Sequence, residues 1–198
     1  MSFVNLVSGG LDSTLIGVMA KEEKIDFYPL FIDYGQRAVE NEWTACLKVH
    51  EAYSLPKPQR MNLSGFGEII TSGLTSTAKD VKNDAFTPGR NMLFLLVASA
   101  YAVQKKADAV AIGLLAEKYS LFPDQTKEFV MAAEEAIRQA MGRPIRVTVP
   151  LADFSKADVI RAARERDIYG TYSCHLGNSD PCGYCISCTE TLGQIKKD

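Results

Sequence analysis

The sequence predicts an α/β protein built on a doubly wound parallel sheet. Two observations carry that expectation. Short apolar runs alternate with helical-period segments along most of the 198 residues, and such repeated strand–helix units imply a parallel sheet with helices on both faces. The first apolar run also stops at "SGGLDST" (8–14), a glycine turn that leads straight into a helical stretch. A third observation, a C-terminal crowd of cysteines, marks a small appended metal segment.

The elements follow in order. "FVNLV" (3–7) reads as a short buried strand, and Leu11, Leu15, Val18 and Met19 then recur at helical spacing. "FYPLFI" (27–32) is a second strand that ends in the polar run "DYGQR" (33–37). A helix is expected from about Val39 to Tyr53, then a weak strand near "QRMNL" (59–63). Residues 65–90 show no period and many turn residues, so they read as a long loop-like connection, functional or mobile. "NMLFLLVASAYAVQKK" (91–106) is apolar nearly all round, which suits a buried helix. "DAVAIGLL" (108–115) reads as a fourth strand, "KEFVMAAEEAIRQAM" (127–141) as an amphipathic helix and "RVTVPL" (146–151) as a fifth strand. Ser155 is an N-cap for a helix over 155–167, with Asp158 close to a capping-box acid.

Composition narrows the class. The length suggests one core domain with a small appendage, divided here as 1–170 and 171–198. With 46% hydrophobic and 23% charged residues, the chain has an ordinary soluble balance. A net charge of -2 without a basic stripe argues against direct nucleic-acid binding. No secretory signal is visible, and Met92–Val103 is too short to span a bilayer. A cytoplasmic protein with no membrane contact is expected.

The glycine turn has a chemical reading. Glycines after a first strand let the backbone approach a ligand, and the next helix offers unpaired N–H groups and a positive dipole end. Ser8 and Ser13 add hydroxyls, and Asp12 suits a magnesium ion that bridges phosphates. No G-K-[ST] follows, and the pattern is not G-x-G-x-x-G. At the other end, Cys174, Cys182, Cys185 and Cys188 supply four thiolates, with Gly183 suited to a tight knuckle. A closed tetrahedral Zn²⁺ site is the favoured reading; an iron–sulfur cluster or free thiols are the alternatives. His175 reads as a neighbour of that set and Cys46 as a small core residue.

"SGGLDS" matches the S-G-G-x-D-S signature of the PP-loop ATP pyrophosphatases, whose fold is the adenine-nucleotide α-hydrolase-like sheet. Taken with "DYGQR" (33–37), "PGRN" (88–91), "YSLFPDQTKEF" (119–129) and "CHLGNSDPCGYCISC" (174–188), the whole chain resembles the 7-cyano-7-deazaguanine synthase (QueC) family. That resemblance implies a ligase that adenylates 7-carboxy-7-deazaguanine with ATP, aminates it with ammonia, and dehydrates the amide to a nitrile with a second ATP. It also implies a homodimer and a structural zinc on the four cysteines.

By position, the resemblance puts Val7, Ser8, Gly9, Gly10, Leu11, Asp12, Ser13 and Thr14 on ATP and Mg²⁺, with Asp33, Tyr34, Gly35 and Gln36 along the nucleotide. Asp12, Arg90 and Asn91 would be catalytic, and Arg90, Lys118, Tyr119, Asp124 and Glu128 would meet the deazaguanine carboxylate. A forked guanidinium at 90 suits a phosphate or a carboxylate. The family pattern after the fourth strand is acid-[YF]-S-G-Y-P-D-C-R. Here Lys118 replaces the acid, Leu121 the glycine, and Gln125-Thr126 the Cys-Arg pair. A lysine accepts no hydrogen bond from a guanine-like edge. The first gap in the cysteine cluster is one residue shorter than the family spacing. Two versions therefore stand: the nitrile synthase, or a relative that stops at an amide or takes a different amine. A PP-loop enzyme acting directly on tRNA, and a nucleotide-binding or zinc interaction module without turnover, are the competing classes.

Overall fold

The computed structural model of the chain describes residues 2–195. Five parallel strands form one sheet in the order β3-β2-β1-β4-β5. They are β1 (Phe3–Val7), β2 (Phe27–Asp33), β3 (Gln59–Asn62), β4 (Ala109–Ala111) and β5 (Arg146–Thr148). The connecting helices are α1 (Leu11–Glu22), α2 (Val39–Ala52), α4 (Arg90–Lys105) and α5 (Lys127–Met141), and α6 (Lys156–Arg164) follows β5. Two further helices, α3 (Gly65–Ile69) and α7 (Ile186–Ile195), fall in segments without a readable period.

Strand alternation sorts the core into two faces. Val4, Leu6, Leu30, Ile32 and Val110 pack on one side against Leu95, Ala98 and Ala102 of α4 and Ala133 and Ile137 of α5. On the other side, Leu15, Ile16 and Val18 of α1 and Val159 and Ala163 of α6 pack with Phe27 and Ala111, while Cys46 of α2 covers Val7 and Phe31. Asn5 is fully buried inside this second layer, and its Nδ2 donates to the Ser13 carbonyl at 3.2 Å. That bond ties β1 to the first turn of α1.

The strand order runs outward in both directions from the pair β1 and β4, so the crevice beyond their carboxyl ends is the switch point where such sheets bind ligands. Three expectations need correction here. The fourth strand stops at Ala111 rather than Leu115, because its pairing with β1 ends at Asn5–Ala111 and the chain then departs from β1. Residues 112–115 form a wall of the crevice instead. The fifth strand ends at Thr148, and Ala152 donates back to Val149 in a turn around Pro150, which has no N–H to offer.

The stretch 65–90 is no bare loop. It opens with α3 and then folds back on itself: Gly73 donates to the Asp84 carbonyl at 2.7 Å, and the Ser72 and Thr87 hydroxyls meet at 2.6 Å. Leu74, Val81 and Ala85 pack on Cys174, Cys185 and Cys188. The 65–90 connection and the C-terminal segment thus share one small core. No helix among the described residues is long and apolar enough to cross a membrane.

Candidate active site

The site starts from the turn after β1. Gly9 has φ +74, and a Cβ there would collide with the Glu42 carbonyl and the Cys46 amide of α2. Glycine is thus required on two counts, backbone angle and space. Ser13 Oγ accepts from the Ser8 amide at 3.2 Å and donates to the Gly10 carbonyl at 3.3 Å; Thr14 Oγ1 donates to the same carbonyl at 2.8 Å. These bonds close the turn and leave the first-turn amides of α1 facing the crevice without intrahelical partners. Cys46 lies buried beneath the turn, and burial pushes its thiol up to about 12. It is a core residue.

Two cavities open here. One, of about 300 Å³, runs from Val7, Ser8 and Gly10 along Phe31 and Ile32 to Tyr34, Gln36 and Glu42. The other, of about 580 Å³, extends from Leu115 and Ala116 past Tyr119 and Phe122 to Ile186 and Glu190 of α7. They share a seam at Asp12, Arg90, Gly113, Gln125, Lys156 and His175.

The charges at the seam are arranged by topology. Asp12 sits in the first turn of α1 and Lys156 in the first turn of α6, both at the carboxyl edge of the sheet. Lys156 Nζ donates to both Asp12 oxygens at 2.7 and 3.0 Å. Arg90 opens α4 behind the left-handed Gly89; its Nη1 donates to the Tyr34 hydroxyl at 3.4 Å, and its Nε is buried with no partner. Its guanidinium lies 5.7 Å from the Tyr34 ring and 6.0 Å from the Phe94 ring, which fixes it in place. Burial, with Arg90 and Lys156 nearby, pushes His175 down to about 4, so the imidazole is neutral. Glu42 accepts from Gln36 Nε2 at 2.9 Å, and loss of solvent pushes its carboxyl up to about 7.

The residues expected from the sequence divide accordingly. Val7, Ser8, Gly10, Leu11, Asp12, Ser13, Tyr34, Gln36, Arg90 and Asn91 all line the smaller cavity. Gly9 and Thr14 stand behind it and hold the turn. Asp33 is turned to structure: its Oδ2 accepts from Arg60 at 2.8 Å and its Oδ1 from the Gly35 amide at 3.1 Å. Asn91 donates to the Asp124 carbonyl at 3.0 Å and so anchors the turn over 123–125. Tyr119 walls the larger cavity, but Lys118, Asp124 and Glu128 line neither. Lys118 places its ammonium 5.1 Å from the Tyr119 ring, and Glu128 is exposed in the first turn of α5. Asp124 is buried with Oδ1 unpartnered. Gln125, in place of the family's cysteine, accepts from the Leu121 and Phe122 amides at 2.8 and 3.1 Å and shapes this turn.

Lys156, Glu42, His175 and Glu190 were not singled out as site residues from the sequence. Lys156 carried one usable signal, a basic residue directly after the N-cap of a helix that follows a parallel strand. The other three reach the cavities only through tertiary packing.

The four cysteines come together in a group that could hold a metal ion. Their sulfurs all lie within 4.8 Å of one another, and Cys182 and Cys188 are 3.9 Å apart. Sulfurs around a tetrahedral zinc at its usual bond length stand ~3.8 Å apart, so the set fits. Gly183 has φ +69, and the Cys185 amide donates to Cys182 Sγ at 3.3 Å, the knuckle geometry that holds a thiolate.

A glycine turn capped by a helix at the switch point of a parallel sheet defines the class: a PP-loop-type nucleotide fold with a four-cysteine appendage. Solved structures with this fold include the U34-tRNA thiolase NcsA from Methanococcus maripaludis with its [4Fe-4S] cluster, at TM-score 0.56 and 15% identity over 100% of this chain and 65% of that one. The NMN synthetase from Francisella tularensis matches at TM-score 0.55 and 16% identity, over 91% of this chain and 70% of that one. The family model for "Queuosine biosynthesis protein QueC" matches residues 2–194. A 7-cyano-7-deazaguanine synthase from Campylobacter concisus is 32% identical over 98% of this chain and 93% of its own length. Another from Prochlorococcus marinus is 34% identical over 99% and 94%. The chain belongs to the QueC family of queuosine-biosynthesis enzymes.

Proposed function

We propose that the chain is an ATP-dependent, AMP-forming ligase that converts 7-carboxy-7-deazaguanine to 7-cyano-7-deazaguanine with ammonia. The observation that carries this reading is the meeting of two cavities, one of them lined by the glycine turn, at Asp12, Arg90 and Lys156. ATP lies in the smaller cavity, its pyrophosphate on Ser8, Gly10 and Ser13 and on the first-turn amides of α1. Tyr34 and Gln36 follow the nucleoside. Arg90 draws the acceptor carboxylate to the seam, where one of its oxygens attacks the α-phosphorus as the bond to pyrophosphate breaks. Lys156 passes from Asp12 to the leaving phosphates, which frees Asp12 to hold Mg²⁺. The ion supplies charge neutralisation across the phosphates. Ammonia then displaces AMP and loses a proton to form the amide; the amide oxygen attacks a second ATP with release of pyrophosphate and leaves as AMP while the nitrogen gives up its two protons to solvent. Positioning and charge stabilisation are the protein's contribution. The four thiolates hold Zn²⁺ as a structural ion that fixes α7. We read the chain as a cytoplasmic homodimer on the family resemblance.

Incubation of the chain with ATP, Mg²⁺, ammonium and the acid should release AMP and pyrophosphate and yield the nitrile by mass spectrometry. No acid-dependent AMP release would overturn the reading. Release of AMP with an amide as the end product favours the second version, for which Leu121 and Gln125 on the acceptor wall are the specific observation.

A further inference from the structure

One carboxylate in the acceptor cavity has no hydrogen-bond or ion-pair partner among the described residues. Glu190 lies on α7, two residues beyond the ligand Cys188, and its side chain lines the larger cavity and not the smaller one. The other cavity-lining carboxylates are committed: Asp12 to Lys156 at 2.7 Å, Glu42 to Gln36 at 2.9 Å. Glu190 makes no hydrogen bond or ion pair among the described residues, and it stands one helical turn beyond Ser187, which lines both cavities. A half-buried carboxylate accepts hydrogen bonds only, and without a partner it is costly. The position therefore calls for a ligand rich in N–H donors.

Three ligands come into question. A divalent ion bridging phosphates would sit with the pyrophosphate, in the cavity that Glu190 does not line. The amidine edge of a deazaguanine would point away from the seam once its carboxylate faced Arg90 and Lys156. The attacking amine, in contrast, has to stand at the seam on the acceptor side. We propose that Glu190 is the docking carboxylate for the incoming amine and holds ammonium, or the ammonia it releases, through N–H···O bonds beside the acyl carbon. The proposal rests on the adenylate-forming reading above. In the step it serves, the C–N bond forms, the bond from the acyl carbon to AMP breaks, AMP departs with the electron pair, and the amine's proton passes to solvent at the cavity mouth. The metal knuckle then has a role in the chemistry, because it fixes the first turn of the helix that carries Glu190.

Two measurements test this. Crystals of the whole chain soaked in thallium(I), an ammonium surrogate, should show an anomalous peak beside the Glu190 carboxylate that is missing in Glu190→Gln. In kinetics, Glu190→Gln should raise KM for ammonium about 10-fold or more, the loss of a charge-assisted hydrogen bond. KM for the acid, read from acid-dependent ATP–pyrophosphate exchange without amine, should stay within about twofold by the same reckoning. Glu190→Asp should recover part of the loss. The proposal is overturned by an absent thallium peak, by a manganese peak at Glu190 in its place, or by an equal rise in KM for the acid. Absence of exchange in the natural chain would overturn the adenylation reading instead, and the thallium soak would still decide the amine site.

Discussion

The two cavities meet at one seam, yet their walls are of different kinds. The nucleotide side is made of strand ends and backbone: Val7 closes β1, Gly9 is jammed against α2, and Ser13 and Thr14 bond back to Gly10. The acceptor side is made of what lies outside the sheet, namely residues 115–122 and the α7 segment beyond the cysteines. A change on the nucleotide side disturbs the fold itself, whereas the acceptor side can be rewritten with the sheet intact. Two departures from the family pattern reach the acceptor cavity: Leu121 lines it alone and Gln125 sits at the seam, while Lys118 and Thr126 line neither cavity.

The largest effect should come from the seam. Asp12→Ala should lower AMP formation by about 10³-fold or more, with an unchanged circular dichroism spectrum; undiminished turnover would remove Asp12 from metal binding. The next tests whether the two sides separate. Cys185→Ser should empty the metal site, take zinc from about one per chain to none by metal analysis, and abolish amide formation. ATP affinity by calorimetry should hold within a few-fold. Loss of ATP binding in step with zinc would show that the two sides are one unit.

A smaller effect is linked to pH. Burial holds Glu42 up at about 7, above its ordinary carboxylate value, so the unfolded chain ionises first as pH rises. The contribution of Glu42 to folding stability is therefore constant below the ordinary glutamate value and declines up to about pH 7. Glu42→Gln should remove that decline and be more stable than the natural chain by about 3 kcal/mol in mildly alkaline buffer, with no difference in acid. Parallel denaturation curves at the two pH values would contradict this. The smallest effect is expected at Lys118, which faces solvent over Tyr119. Lys118→Ala should change KM for the acid by less than about twofold, as an exposed contact does. A larger change would put Lys118 on the substrate.

Particular residues show why one side was legible in the sequence and the other was not. "SGGLDST" is a local device: its glycines, its hydroxyls and the helix period after it lie within a few residues, and the structure closes them on one another. The cysteine spacing is legible for the same reason. The fourth strand was overextended because Ile112 and Leu114 are as buried as strand residues, at 7% and 9% exposure. Apolar character alone does not separate a strand from a cavity wall. Lys156 meets Asp12 across 144 positions, and Glu190 reaches the acceptor cavity only because the knuckle turns α7 toward it. Such long-range meetings leave no period or motif. Lys118 misled in the opposite way, since a motif fixes a position along the chain but not the direction of its side chain.

In the proposed reaction the acceptor's own carboxylate attacks ATP at the seam. That attack is tested most directly by supplying the acid with heavy oxygen in its carboxylate and analysing the AMP from a single turnover by mass spectrometry. The account predicts AMP that carries one labelled oxygen. Unlabelled AMP, formed by attack of water, would contradict it.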